Sequence, residues 1–388
     1  MTEMIQHNNQ TVPAPEPNFE DKQDAKHFSI VGSGVIGLLT AHELADQGHS
    51  VTVYSHEGQP TPNTDSTSAI AIGQFLPWLP EEHAKTVLGN LGRDIGEVVD
   101  ESRTFFAELA KNPAETGVIS IRNVELINDS LPWPEGLPAA MRVEEKPLQQ
   151  AIGLTDPKGE TVEYDKELDF DTFSINTRKT LTWLAATAAA KGVRFEQQHI
   201  SPEQLHELDG VIINASGMGA KELTRSEDIH HYKGHTILLR PQPGQKVPTE
   251  AISVDDLIIM PREDGTVIAG ALYRNNPNRP VPERDEAEEL LNRLTELAER
   301  TGHMVDGLDK SLFEESNILL HSAGYRVVVE PSGIRVAPDE KTEHLLHAYG
   351  FSGIGWSVGP VFAKKIAAQA VEIHHKLKGN HEQQDISN

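Results

Sequence analysis

There is no cysteine anywhere in the chain, which excludes disulfides, a thiolate metal site, a cysteine nucleophile and a cysteine-linked cofactor. Basic residues are also scarce: 34 Lys and Arg stand against 59 Asp and Glu, and the formal net charge of -25 opposes binding to nucleic acid or to an anionic membrane surface. No apolar run approaches the length of a membrane span, so 37% hydrophobic residues over 388 positions describe a globular chain with room for two cores. Residues 1–26 are polar, rich in Gln, Asn, Pro and Glu, and lack the apolar centre of a signal peptide. They are read as a disordered tail, and residues 380–388 at the other end as a C-terminal tail. The last four residues are not a peroxisomal address, and a cytoplasmic location is the expectation.

What is present is organised around the stretch 28–37, FSIVGSGVIG. It reads as a buried strand entering a glycine turn and then a helix, the arrangement in which a pyrophosphate meets free N–H groups at a helix N-terminus. Gly32 permits the tight turn, Gly34 lets the backbone approach the phosphates, and Gly37 lets the helix pack on its strand. Leu38, Leu39, Ala41, Leu44 and Ala45 give the helix its apolar side, Gly48 ends it, and 51–54 returns as a second strand, which completes a βαβ unit. The acid that binds ribose hydroxyls in such a unit falls at Ser55, with Glu57 close enough to take the role. The hydroxyl-rich loop 61–68 suits phosphate oxygens, and the small residues of 69–73 suit a flat ring lying against the backbone.

The apolar spacing of Ile95, Val98, Val99, Phe105, Phe106 and Leu109 predicts a helix over 92–112. Short β-like pieces separated by Pro and Gly turns, including 131–134, predict an antiparallel region over 118–164. A helix over 177–191, a strand at 193–196 and a buried strand at 211–214 opening into Ala215-Ser216-Gly217 restore the β/α alternation. A second antiparallel stretch runs from 231 to 274, with an Asp-Gly hairpin turn at 264–265, and a charged helix from 284 to 300 follows it. His230, His231 and His235 do not complete a metal site, since neighbours on a strand point apart and no carboxylate joins them. The chain ends in a glycine-rich segment, 347–355, and a long apolar-faced helix whose N-terminus faces back to it.

Taken together, 30–37, 61–78, 214–217, 324–326 and 347–355 make the chain resemble the D-amino-acid oxidase family of FAD flavoproteins, over about 27 to 379. The resemblance implies an α/β fold, α+β overall. A discontinuous Rossmann-like FAD-binding domain would comprise 27–78, 171–225 and 322–379, and a mainly antiparallel substrate domain 79–170 and 226–321. It implies non-covalent FAD and no metal. Gly32, Gly34 and Gly37 would face the pyrophosphate, Glu57 the ribose, Ser66 and Thr67 the phosphates, and Ala71, Gly73 and Gln74 the isoalloxazine edge. Ile200 would meet the adenine, Ser216 and Gly217 would flank the cofactor, and Ser352, Gly353, Ile354, Gly355, Trp356 and Ser357 would run beside the flavin. Arg326 falls on the residue that holds the substrate carboxylate, a task suited to a planar bidentate guanidinium, and the Gly353 carbonyl would accept from the amine.

The activity so implied is oxidation of an amino acid, most directly a D-amino acid, with molecular oxygen as acceptor and no protein base required. Oxidation or dehydrogenation of glycine, an N-methyl amino acid or another secondary amine is a second reading. A flavin-binding module without catalysis is a third. The family's pocket tyrosines are missing: Trp78 replaces one, 252–257 (ISVDDL) stands where others lie, and its Arg-Gly-Gln motif is Lys233-Gly234-His235. Asp255 and Asp256 read as solvated turn residues or, should either face the pocket, as a charge that would repel acidic side chains and favour neutral or basic D-amino acids over D-aspartate and D-glutamate.

Overall fold

The computed structural model describes residues 26–76, 81–128, 143–156, 158–274 and 283–387. Residues 1–25, Trp78 and the turns at 131–134 lie outside the described residues. The chain opens with β1 (His27–Val31), α1 (Val35–Asp46), β2 (Ser50–Ser55), α2 (Thr67–Ile70), α3 (Glu81–Leu91), α4 (Ile95–Leu109) and α5 (Pro113–Thr116). Then come β3 (Val118–Ile127), β4 (Glu144–Thr155), β5 (Thr161–Ile175), α6 (Thr177–Ala190), β6 (Arg194–Gln197), α7 (Pro202–Leu205), β7 (Val211–Asn214) and α8 (Ala220–Thr224). It continues with β8 (Ile229–Leu239), β9 (Ala251–Val254), β10 (Leu257–Pro261), β11 (Val267–Arg274) and α9 (Arg284–Thr301). It closes with β12 (Ile318–Val329), β13 (Arg335–Pro338), β14 (Leu345–Tyr349) and α10 (Gly355–Ser387).

Two sheets organise these elements. The first has six strands in the order β13-β14-β7-β1-β2-β6, parallel except for β13. The second has eight, in the order β12-β8-β11-β10-β9-β3-β5-β4, and is antiparallel except where β3 meets β9. The mixed α/β architecture of a Rossmann-like sheet beside an antiparallel one is therefore as the sequence indicates.

The reason the first sheet forms is visible in β1 and α1. Phe28, Ile30 and Val31 are buried, and so are both faces of the first turns of α1, because that helix packs against α10 and α6. Gly48 and Gly192 end their helices with positive φ (82° and 92°), the left-handed geometry glycine adopts without a Cβ penalty. Helix α4 begins at Ile95 rather than at Gly92, since the Asp94 carboxylate caps it by accepting from the Gly96 and Glu97 amides at 2.8 and 3.4 Å. Phe106 is buried against Phe75 and Phe173, as expected for a core aromatic.

The expected domain limits do not coincide with the packing. Positions 171 and 322 fall inside β5 and β12, both continuous strands of the eight-stranded sheet. Val98, Val99, Phe106 and Leu109 of α4 belong to the core of α1, α6 and α10, so this part of 79–170 packs on the Rossmann-like side. A second core lies between the eight-stranded sheet and α9, built on Leu290, Leu294 and Leu297. Among the described residues no helix is long and apolar enough to cross a membrane.

Candidate active site

A cleft with a volume of about 520 Å³ runs between the two sheets. At one end it is lined by Glu57, Gln198 and Ile200, in the middle by the glycine turn, and at the other by Ala71–Gln74, Gly353 and Arg326. Its middle is the N-terminus of α1, where the N-cap residue Gly34 supplies no side-chain cap, the Val35 amide donates to the Ser68 hydroxyl at 3.1 Å, and the first turn carries no acidic residue. The positive end of a helix dipole without an acidic neighbour in its first turn fits a pyrophosphate. The cleft is thus long, positively poled at its centre and flanked by an acid at one end, which suits a dinucleotide.

Of the residues singled out from the sequence, Gly32, Gly34, Glu57, Ser66, Thr67, Ala71, Gly73, Gln74, Ile200, Ser216, Gly217, Ser352, Gly353, Gly355, Trp356 and Arg326 line this cleft. Gly37, Ile354 and Ser357 do not. A Cβ on Gly37 would lie 2.0 Å from the Gly32 carbonyl oxygen, so this glycine serves the contact of α1 with the turn rather than the cleft. Ile354 is buried, and the Ser357 hydroxyl accepts from the Leu76 amide at 3.0 Å, tying the first turn of α10 to the loop after Gln74. Both candidates for the ribose, Ser55 and Glu57, line the cleft. The Ser55 hydroxyl accepts from Ser33 of the glycine turn at 3.0 Å and donates to the Gly58 carbonyl at 2.8 Å.

Arg326 owes its direction to strand alternation in β12. Gly324 faces α2, where a Cβ would come within 2.0 Å of the Ile70 side chain, and Arg326, two residues on, faces the same way. Its guanidinium lies over Gly353: a Cβ there would be 2.7 Å from Arg326 Cζ. Residue types between Lys233 and Thr236 alternate likewise. The Thr236 hydroxyl donates to the Ile70 carbonyl at 3.2 Å, on the cleft side, whereas Lys233 Nζ and His235 Nε2 lie 2.6 and 3.0 Å from the Glu286 carboxylate of α9. The Lys233 ammonium and the His235 imidazole, whose pKa burial lowers, therefore serve the sheet–helix contact. His235 Nδ1 is 3.2 Å from His321 Nε2, and burial pushes the His321 imidazole down to about 4, with the neighbouring His235 adding to the effect.

Neither Asp255 nor Asp256 meets the condition on which a preference against acidic substrates would rest, that one of them face the pocket. Asp255, in the left-handed region at φ 49°, accepts from the Tyr164 hydroxyl at 2.5 Å. Asp256 pairs with Arg293 of α9 at 3.0 Å. Neither lines the cleft. Burial raises the Asp256 carboxyl above its ordinary value despite the opposing Arg293 guanidinium. Asp256→Ala should leave this largely buried guanidinium uncompensated and cost about 3 kcal/mol of stability. Preference between acidic and neutral substrates should not change; a denaturant titration and paired kinetics check both parts.

Sequence reasoning missed the buried chain behind Gln74. Its side-chain amide donates to Asn123 at 3.1 Å, and Asn123 donates to Ser253 at 2.8 Å. Alternation on β3 and β9 places Asn123 and Ser253 on the cleft face, but only the pairing of those strands brings them together. Among the described residues no group of three or more His, Asp or Glu side chains could hold a metal ion.

Comparison with known proteins agrees with this geometry. The family model described as FAD dependent oxidoreductase, abbreviated DAO, matches residues 27–369. The D-amino-acid oxidase of Streptomyces coelicolor is 24% identical over 359 residues, covering 92% of this chain and 99% of that protein. That of Rubrobacter xylanophilus is 26% identical over 356 residues, covering 88% and 94%. Among solved structures, glycine oxidase from Geobacillus kaustophilus superposes with a TM-score of 0.64 at 16% identity, covering 90% of this chain and 95% of that one. With a matching family model over most of its length, the sheet order of the fold and a cleft built for a dinucleotide, this chain belongs to the D-amino-acid oxidase family of FAD-dependent oxidoreductases.

Proposed function

We propose that the protein oxidises an amino acid, and specifically a D-amino acid, so that amino acid, oxygen and water give a 2-oxo acid, ammonia and hydrogen peroxide. The observation that carries this reading is Arg326, half-buried in the cleft wall with its guanidinium over the backbone of Gly353. A guanidinium so placed suits a carboxylate, and a backbone carbonyl beside it suits the neighbouring amine, as an α-amino acid requires. When bound, FAD supplies the two-electron oxidant. The chain's own part is alignment: Arg326 fixes the carboxylate, the Gly353 carbonyl accepts from the neutral amine, and Ala71, Gly73 and Gln74 border the ring. The six-stranded sheet and its helices form the FAD-binding part, and the eight-stranded sheet supplies the substrate side. Relatives named D-amino-acid oxidase, aligned along nearly the whole chain, support the choice of substrate class.

The test is anaerobic addition of pooled D-amino acids to the purified holoprotein, with glycine, sarcosine and L-amino acids added separately. D-Amino acids should bleach the visible flavin absorbance, and air should restore it with peroxide formed. Bleaching by glycine or sarcosine alone would move the substrate to that class. The cofactor should be held without a covalent bond, so acid precipitation of the protein should leave FAD in the supernatant. Flavin remaining in the pellet would refute that.

A further inference from the structure

A second hydrogen-bond chain, buried at its His347–Asn214 link, runs from the cleft-lining Ser216 and joins residues of β14, β7 and the turn after β13. His347 and Asn214 are register partners on neighbouring parallel strands, and both are buried. His347 Nε2 is 3.1 Å from Asp339 Oδ2, and Asn214 Nδ2 is 3.4 Å from His347 Nδ1. Asn214 Oδ1 accepts from both the Ser216 amide, at 3.3 Å, and the Ser216 hydroxyl, at 2.6 Å. The other Asp339 oxygen accepts from the Lys341 and Thr342 amides at 2.9 and 2.8 Å.

The direction of every proton in this chain follows from its ends. A backbone N–H can only donate, so the Ser216 amide requires the oxygen of Asn214 to face it, and the amide nitrogen then faces His347. Nδ1 of His347 must therefore accept, which leaves the proton on Nε2, where the Asp339 carboxylate takes it. The ionisation agrees. Burial opposes charge on both groups, yet backbone amides and His347 hold Asp339 down at about 2, while desolvation lowers His347 and favours the neutral ring. All donors point inward to Asp339, so the Ser216 hydroxyl has spent its proton and offers the cleft only lone pairs.

An acceptor cannot hold a phosphate oxygen. Its partner must carry a proton, and the sheet order says where. β7 flanks β1 on the side away from β2, hence away from Glu57, which places Ser216 on the flavin half of the cleft. We propose that the Asp339–His347–Asn214 chain sets Ser216 as an acceptor for a ribityl hydroxyl of FAD, with His347 as a positioning residue for cofactor binding. This rests on the FAD dependence of the family and not on the choice of substrate.

The test uses holoprotein and measures FAD dissociation by the fluorescence that appears on dilution, with ADP as competitor to give its own affinity. Ser216→Ala and His347→Phe should each weaken FAD about fivefold or more, the value of a single hydrogen bond, and leave ADP unchanged. The double variant should be no weaker than the weaker single one, because both remove the same contact. His347→Gln, which keeps a donor and an acceptor, should recover most of the affinity, and it serves as the folded comparison if the phenylalanine variant does not fold. Equal losses for FAD and ADP would place Ser216 on the phosphates or the adenosine and overturn the proposal. Additive losses, or FAD affinity indifferent to His347, would overturn the relay.

Discussion

Arg326→Ala should retain a full complement of FAD and lose tenfold to a hundredfold or more in kcat/KM. A charge-assisted bidentate contact is worth about 1.5–3 kcal/mol, which sets the lower part of that range. Misplacement of the substrate beside the ring adds to it, because alignment is the chain's main contribution to the reaction. FAD should stay because Arg326 is carried by β12 of the eight-stranded sheet, whereas the helix N-terminus suited to the pyrophosphate belongs to the Rossmann-like side. Arg326→Lys should recover only part of the loss, since an ammonium cannot reproduce the planar fork. Gly353→Ala offers an independent check. Its Cβ would displace the guanidinium from a distance of 2.7 Å, so it should raise KM in the same direction while Arg326 remains in the chain. Kinetics unchanged in both variants would place the carboxylate site elsewhere.

Local pattern made the first βαβ unit readable because every part of it is encoded by neighbours: a buried strand, glycines at the turn, an apolar helix and a glycine stop. The same holds for the Asp-Gly hairpin, where β10 and β11 pair as the turn requires and Gly265 takes a φ of 77°. Helix α3 is not legible in the sequence. Its apolar residues are few and Gly89 interrupts it, so its buried Val87 shows only against the tertiary core. Domain limits escaped for a different reason: β5 and β12 each continue through the point where the chain's chemistry changes from one side to the other. Asp255 and Asp256 looked like free acids because their partners, Tyr164 and Arg293, are distant in sequence. The Asp339–His347–Asn214 chain likewise exists only through the pairing of β14 with β7. What alternation and turn chemistry encode is legible; which distant charges meet is not.

Two glycines of the motif, Gly37 in the first turn of α1 and Gly34 just before the helix, should behave differently when given a methyl group. At Gly37 the Cβ would stand 2.0 Å from a backbone oxygen, that of Gly32, with the Ile30 side chain 3.5 Å away on the other side. No rotamer can relieve a clash with backbone, so α1 must move off β1, in a region where Ile30, Leu38 and Leu44 are wholly buried. Overpacking of this kind costs about 1–3 kcal/mol or more, and the shift also removes the N–H groups from the position in which they meet the phosphates. At Gly34 the Cβ would lie 3.0 Å from the Ser68 hydroxyl, which can rotate away at the cost of its bond to the Val35 amide, and the backbone there has an ordinary φ of -73°. Gly37→Ala should therefore lower the melting temperature of the flavin-free protein and abolish stoichiometric FAD. Gly34→Ala should melt close to the parent in the absence of flavin and bind FAD more weakly, because the added methyl stands where the backbone approaches the phosphates. The ratio of visible to ultraviolet absorbance and the melting temperature separate the two effects. A Gly37→Ala protein that melts normally and carries one FAD per chain would show that the contact of α1 with the turn is not what this glycine provides.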